Sequence, residues 1–183
     1  MNPLLLSLML LVPMAASAAT VAGVNMEDKT TVNGQNLVLN GAGLRKKFFI
    51  KVYVGGLYLP AKMSNPASIL GSDTPRRMVM HFLYSVSKDQ MCDAWEEGLE
   101  ANTPNANAEV KAAFKTLCSW MEPIPKGNRL VITYVPGTGT IVEVNGKVKG
   151  TLPGKPTADA IVSTWICPKP AMGDDFKNAV LGK

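Results

Sequence analysis

Apolar and polar positions follow two different periods along this chain, and the change of period divides it into blocks. A two-residue alternation of β-branched and aromatic residues is typical of strands, and it dominates both the front of the chain and a later stretch. In the later stretch, Pro-Gly and Asn-Gly mark the turns between three antiparallel strands. The predicted strands are Thr20–Val24, Asn36–Asn40, Phe48–Leu59, Arg76–Tyr84, Arg129–Val135, Gly139–Val144 and Lys147–Leu152.

The period becomes helical after Ser87, which forms a capping-box pattern with Gln90. That helix is predicted to end at Asn102–Asn105, and a second begins near Asn107. A short link between two helices makes them antiparallel neighbours. Two more helices are predicted towards the end of the chain, over Pro156–Cys167 and Asp174–Leu181. Segregated blocks of strands and helices predict an α+β fold, with a mostly antiparallel sheet and a helical layer on one face.

The predicted helical hairpin places two of the three cysteines together. Cys92 lies 12 residues before Pro104 and Cys118 lies 14 residues after it, so the two sit at nearly the same height on antiparallel helices. We therefore predict a Cys92–Cys118 disulfide, the alternative being two buried free thiols. The third cysteine, Cys167, is left without a predicted partner.

Composition and charge exclude several classes of function. The net charge is +5, but the basic residues are scattered or in short clusters, which does not indicate nucleic-acid binding. The single histidine, His81, lies within a predicted strand, where a structural role is favoured over a catalytic one. The chain has no Cys/His cluster for a metal and no glycine-rich phosphate loop, so we predict no metal and no cofactor.

The first 18 residues predict a cleaved secretory signal peptide. They carry no charge, contain the apolar run Leu4–Val12 and end in Ala16-Ser17-Ala18, small residues that suit a signal peptidase. The missing basic residue before the apolar run departs from the usual pattern, and an uncleaved N-terminal anchor is the alternative. Cleavage near Ala18 or Ala19 would give a periplasmic or secreted protein with no transmembrane segment, and one domain over residues 20–183.

Two motifs carry a resemblance to a known family. Gly41-Ala42-Gly43-Leu44-Arg45 is followed by Lys51-Val52-Tyr53, and Ala160–Ile166 is similar to a characteristic late helix. Together they resemble the chalcone isomerase-like family, and in particular its short, secreted bacterial branch. The resemblance implies an open-faced β-sandwich with a helical layer and a cleft between them. Plant members of the family cyclise chalcones, whereas others bind fatty acids.

The resemblance also implies roles for individual residues. Arg45 matches the arginine that supports an enolate in the enzymes and holds a carboxylate in the fatty-acid binders, and Tyr53 matches the binders' tyrosine. Thr164 matches an active-site threonine, and Trp165 stands where a methionine lines the cleft. Met91 replaces a tyrosine that helps to hold a catalytic water, so the pattern favours binding over isomerisation. The implied ligand-binding residues are Arg45, Tyr53, Met91, Trp95, Thr164 and Trp165.

Three functions stay open at this point. The first is a non-catalytic carrier of a fatty acid or another small amphipathic anion, with Arg45 as the anion anchor. The second is an intramolecular lyase of chalcone isomerase type that uses Arg45 and Thr164. The third is a structural or partner-binding protein, with homodimerisation as one possibility, whose cleft is filled by its own side chains. Arg45 and Tyr53 can share a ligand only if the chain turns between them, which we expect at Arg45–Lys47.

Overall fold

Seven antiparallel strands form one sheet in which spatial order equals chain order. The computed structural model describes residues 19–169 and 173–183, so the predicted signal peptide lies outside the described residues. A two-stranded ribbon, β1 (Ala19–Val21) and β2 (Val24–Met26), precedes the sheet. The sheet consists of β3 (Lys29–Val32), β4 (Gln35–Lys47), β5 (Ile50–Leu59), β6 (Arg76–Phe82), β7 (Arg129–Val135), β8 (Gly139–Val144) and β9 (Lys147–Leu152).

Five helices occur in the described part of the chain, and side-chain caps mark the start of the first three. They are α1 (Pro66–Gly71), α2 (Lys88–Asn102), α3 (Ala108–Trp120), α4 (Lys155–Ile166) and α5 (Asp174–Val180). At the start of α2, Ser87 accepts a hydrogen bond from the backbone of Gln90, whose side chain accepts one from the backbone of Ser87. Asn107 caps α3 through Val110 N–H at 2.9 Å. None of these described helices has both the length and the apolar character to cross a bilayer.

The two faces of the sheet bury separate apolar clusters. Tyr53, Leu57 and Met80 belong to the main core, which the sheet forms with the five described helices. Val54 and Tyr58 point to the opposite face and pack in a smaller cluster beneath the β1–β2 ribbon. The two-residue period of the sequence thus corresponds to side chains that point alternately to the two faces of the sheet. The predicted α+β architecture, an antiparallel sheet with helices on one face, is confirmed.

Helix α5 closes the main core by packing on β4. Asn40, which forms a bulge between β4 and β5, is buried and donates from Nδ2 to the carbonyl of Val180 at 2.8 Å. Its Oδ1 accepts from Met63 N–H at 2.7 Å. A Cβ on the next residue, Gly41, would meet the carbonyl oxygen of Ala179. The Gly-Ala-Gly motif is therefore a surface on which the backbone of a helix rests.

The structure joins Cys92 of α2 to Cys118 of α3, the pair predicted from the helical hairpin. Their Cα atoms are 5.1 Å apart and their separation in sequence is 26 residues. Cys167 packs, partly buried, at the edge of the main core. The disulfide fixes α2, which carries Met91 and Trp95, against its neighbouring helix.

Most predicted elements have the expected bounds, and the differences lie in the front of the chain. The three strands between Arg129 and Leu152 are as predicted. The single strand predicted over Thr20–Val24 is instead a tight ribbon that turns at Ala22-Gly23. Strand β3 and helix α1 were not predicted. Strand β4 runs to Lys47 rather than ending at Asn40, because the Asn40 bulge restores pairing with β5.

Candidate functional site

A cavity of about 360 Å³ opens between the β4–β5 hairpin and helix α2. Its volume lies within the range of small-molecule sites, roughly 300–1,000 Å³. The cleft is therefore not filled by the protein's own side chains. The walls come from β4, β5, β6, α2 and α4, and comprise Arg45, Lys47, Phe48, Ile50, Val52, Tyr53, Met80, Phe82, Tyr84, Val86, Gln90, Met91, Asp93, Ala94, Trp95, Glu97 and Trp165.

A hairpin brings Arg45 and Tyr53 together. The two residues are direct partners in the antiparallel register of β4 and β5, so their Cα atoms lie about 5 Å apart. We expected the chain to turn at Arg45–Lys47, but pairing continues to Lys47 and Ile50, and the turn consists of Phe48 and Phe49. A register shift leaves Val52 as a bulge beside Tyr53. The side chains of Val52 and Tyr53 therefore both line the cavity, whereas in a regular strand two successive side chains would point to opposite faces.

Tyr53 forms the floor of the cavity with Trp165 of α4. The indole Nε1–H of Trp165 donates to the phenol oxygen of Tyr53 at 3.3 Å. Burial raises the pKa of Tyr53 far above its ordinary value, against the opposing effects of the Trp165 hydrogen bond and the Arg45 charge. The phenol is therefore protonated at any physiological pH and can donate a hydrogen bond. Its ring is held edge-on by Phe176 of α5, with centroids 5.6 Å apart.

Helix α2 supplies the opposite wall through Met91 and Trp95. Trp95 packs edge-on against Trp165 with a centroid distance of 5.4 Å. Its indole Nε1–H is buried and has no hydrogen-bond partner among the described residues. A buried donor without a partner costs about 1–3 kcal/mol. Trp95 therefore carries an unsatisfied buried donor at the wall of the cavity.

The charges of the site divide between its two walls. Arg45 and Lys47 lie on the hairpin side, and Asp93 and Glu97 lie on α2. The guanidinium of Arg45 donates to the carbonyl oxygen of Lys46. A guanidinium carries five N–H donors in a planar fork, which allows it to bind the backbone and a carboxylate together. The arrangement combines a cationic rim, an apolar interior and a neutral phenol donor.

Thr164 does not belong to this group, which corrects the placement implied by the family resemblance. It is fully buried, and its hydroxyl donates to the carbonyl of Ile161 at 2.8 Å. It packs against Gly98 of α2 so closely that a Cβ there would lie 2.7 Å from its Cγ2. Thr164 thus sets the spacing of α2 and α4. The other five implied ligand-binding residues line the cavity.

Sequence reasoning missed several residues of the cavity wall. Met80 and Phe82 face the cavity from β6, and the period of that strand was sufficient to put them on one face. His81, between them, therefore points away from the cavity. Asp93 and Glu97 follow Gln90 on α2 at i+3 and i+7, so the three share a helix face. Lys47 was missed because the turn was expected at Arg45–Lys47. No group of side chains suited to a metal ion occurs in residues 19–169 and 173–183.

Comparisons with known proteins agree on the fold. A family model described as chalcone isomerase-like matches residues 18–182. The crystal structure of a fatty-acid binding protein from Arabidopsis thaliana superposes with a TM-score of 0.70 at 16% sequence identity, covering 90% of this chain and 96% of that one. At that identity the likeness concerns the fold alone. No curated protein sequence matches the chain significantly.

Proposed function

We propose, from the premise that the chain belongs to the chalcone isomerase-like family, that it is a secreted, non-catalytic protein that binds a fatty acid or another small amphipathic anion. The cavity would hold the apolar part of the ligand, and Arg45 with Tyr53 would hold its carboxylate. The fold neighbour from Arabidopsis thaliana, a fatty-acid binding protein, supports this class of ligand. The apolar leader over residues 1–18 and the Cys92–Cys118 disulfide support an oxidising compartment.

The observation that carries the proposal is the pairing of Arg45 with Tyr53 beside the apolar part of the cavity wall. A carboxylate accepts two parallel hydrogen bonds from a guanidinium, and a protonated phenol can add a third. Beyond these groups the cavity is walled by Met80, Phe82 and Trp95. This polar end and apolar interior match the two parts of an amphipathic anion.

The same cavity offers little support for an isomerase. Met91 stands at the position of the water-holding tyrosine of the plant enzymes, and a thioether cannot donate a hydrogen bond to water. Thr164, the second candidate catalytic residue, is buried against Gly98 with its hydroxyl satisfied by Ile161. Binding therefore needs only residues that line the cavity, whereas the implied catalytic pair is separated.

The direct test is native mass spectrometry of the protein purified from its own periplasm, followed by denaturation and identification of any released molecule. A bound fatty acid or related anion is the expected result. The affinity for palmitate is then measured by titration, with quenching of the fluorescence of Trp95 and Trp165, which line the cavity, as the signal. We expect Arg45→Ala to weaken palmitate binding about ten-fold or more, since hydrogen bonds to charged groups contribute roughly 1.5–3 kcal/mol.

Two controls make this result specific. Arg129→Ala removes an exposed arginine from β7 outside the cavity lining and should leave palmitate affinity unchanged. Hexadecanol, which has the same chain without the charge, should bind the parent and Arg45→Ala equally. Palmitate affinity that survives Arg45→Ala would remove the anchor role. Turnover of a chalcone by the protein would replace the binding function with an enzymatic one.

A further inference from the structure

The tip of the β4–β5 hairpin exposes an unusual amount of aromatic surface. Phe48 is 87% exposed, Phe49 102% and Ile50 43%, and the neighbouring Tyr84 is 50% exposed. Tyr84 is held beside the hairpin because its backbone N–H donates to the carbonyl of Val52 at 3.2 Å. Four of the five large hydrophobic side chains exposed in the described part of the chain therefore gather at one end of the molecule.

The chain departs here from the rule that it follows in its other two-residue turns. Ala22-Gly23, Asn33-Gly34 and Asn145-Gly146 all combine positive φ with glycine in the second position. At the β4–β5 turn, Phe48 takes a φ of 55°, a left-handed conformation that bulky residues rarely adopt. The fold thus holds an aromatic residue in a costly conformation and in water, which indicates a use for the exposed ring.

Basic residues flank the aromatic tip. Arg45, Lys46, Lys47 and Lys51 lie on its two strands, and residues 41–59 contain no aspartate or glutamate. Lys46, Lys47 and Lys51 are exposed. Aromatic rings among lysines, whose long stems reach past them to phosphate level, are the features of proteins that sit in the interface of an anionic bilayer.

We propose that the β4–β5 tip docks the protein on the surface of an anionic lipid bilayer, with Phe48 and Phe49 inserted below the headgroups. The turn itself projects only two side chains, Phe48 and Phe49, which cannot together bury the roughly 800 Å² that each partner buries in a stable protein interface. A fluid interface accepts such a projection without a matching pocket. Asp93 and Glu97 face the other side of the cavity, on α2, so the cationic side carries the contact.

Docking would place the mouth of the cavity at the membrane. Lys47, Phe48, Ile50 and Tyr84 belong both to the tip region and to the cavity wall. An amphipathic ligand could then pass between bilayer and cavity without crossing water. The docking itself does not rest on the proposed ligand, because the vesicles that test it need contain no free fatty acid.

The test is cosedimentation of the periplasmic form of the protein with phosphatidylcholine vesicles, with and without about one-third phosphatidylglycerol. We expect binding to the anionic vesicles that falls with added salt. The double variant Phe48→Ser/Phe49→Ser should lose at least about ten-fold in partition coefficient. Val148→Ser, which removes a 65% exposed side chain on β9, is the matched control and should bind as the parent does.

Two further variants separate insertion from simple charge attraction. Phe49→Trp should show a blue shift in emission on addition of anionic vesicles, because its indole enters an apolar layer. Lys46→Gln/Lys47→Gln should weaken binding to the anionic vesicles by about five-fold for each lysine. Circular dichroism and a urea-unfolding midpoint equal to that of the parent establish that the variants fold.

Three outcomes would overturn the proposal. One is absence of vesicle binding by the parent at low salt. Another is binding that the double serine variant retains, which would assign the contact to another part of the chain. The third is self-association in sedimentation velocity that the double serine variant abolishes, without vesicle binding, which would make the tip a contact between copies of the protein.

Discussion

Replacing Gly41 by alanine tests the structural role of the Gly-Ala-Gly motif. A Cβ at this position would meet the carbonyl oxygen of Ala179 and lie 2.9 Å from both the amide nitrogen of Gly182 and the carbonyl oxygen of Val180. All three contacts are backbone atoms at the end of α5, so no change of side-chain rotamer relieves them. Helix α5 must therefore move away from β4.

The cost follows from what α5 buries. Phe176, Val180 and Leu181 are each nearly inaccessible to water, and burial of such a side chain contributes about 1.5–3 kcal/mol. Complete release of α5 would lose several of these contributions, whereas overpacking that the core absorbs costs about 1–3 kcal/mol. We expect Gly41→Ala to lower the free energy of unfolding by about 3 kcal/mol, which lowers Tm by roughly 6–12 °C.

Urea unfolding followed by circular dichroism measures this loss, and two comparisons make it specific. Gly71→Ala is the matched control, because a Cβ there has nothing within 4 Å and its φ is not positive. Gly43→Ala would bring its Cβ to 2.9 Å from Cβ of Ala179, so Ala179→Gly should offset part of its cost but none of the cost of Gly41→Ala. A Gly41→Ala protein as stable as the parent, or rescued by Ala179→Gly, would refute the argument.

Two more predictions concern the disulfide and alkaline pH. Cys92→Ser/Cys118→Ser removes a link across 26 residues, and loop-closure entropy predicts that the free energy of unfolding falls by about 3.5 kcal/mol. Urea unfolding of the variant, and of the parent with reductant, should give the same loss. Stability should be steady up to pH 10 and fall as the pH rises towards 12, because burial raises the pKa of Tyr58 to about 12 and burial with the Asp73 hydrogen bond does the same for Tyr134. Each phenol then ionises more readily in the unfolded chain than in the fold. Unfolding measured at a series of pH values should therefore show a shallower loss of stability at high pH for Tyr58→Phe. An unchanged profile would contradict the assignment of this loss to tyrosine ionisation.

Elements with a local signal could be predicted from the sequence. The reciprocal hydrogen bonds of Ser87 and Gln90 set the start of α2, and Asn145-Gly146 sets the β8–β9 turn. The disulfide could be predicted because the constant rise per residue of a helix gives the height of each cysteine along its helix from its position in the sequence. These features depend on few residues that are close in the chain.

The site depends on features with no such signal. The Phe48-Phe49 turn has no glycine, proline or asparagine, and the Val52 bulge arises from pairing between strands rather than from its own residue type. Both were needed to put Arg45 beside Tyr53. Thr164 shows the converse error, since a residue matched by family resemblance supports the packing of α2 on α4 instead of lining the cavity.

The order of the strands has a consequence for how the molecule forms. Each strand of the large sheet pairs with its neighbour in the chain, so the sheet can grow by successive short-range steps, and even the interruption between β6 and β7 is a local helical hairpin. The bond between Asn40 and Val180 is different, because it joins residues 140 positions apart. Loop closure over that distance is entropically costly until the sheet exists to receive α5. We therefore expect α5 to join after the sheet has formed, and the aromatic floor of the cavity to become rigid only once Phe176 has packed against Tyr53.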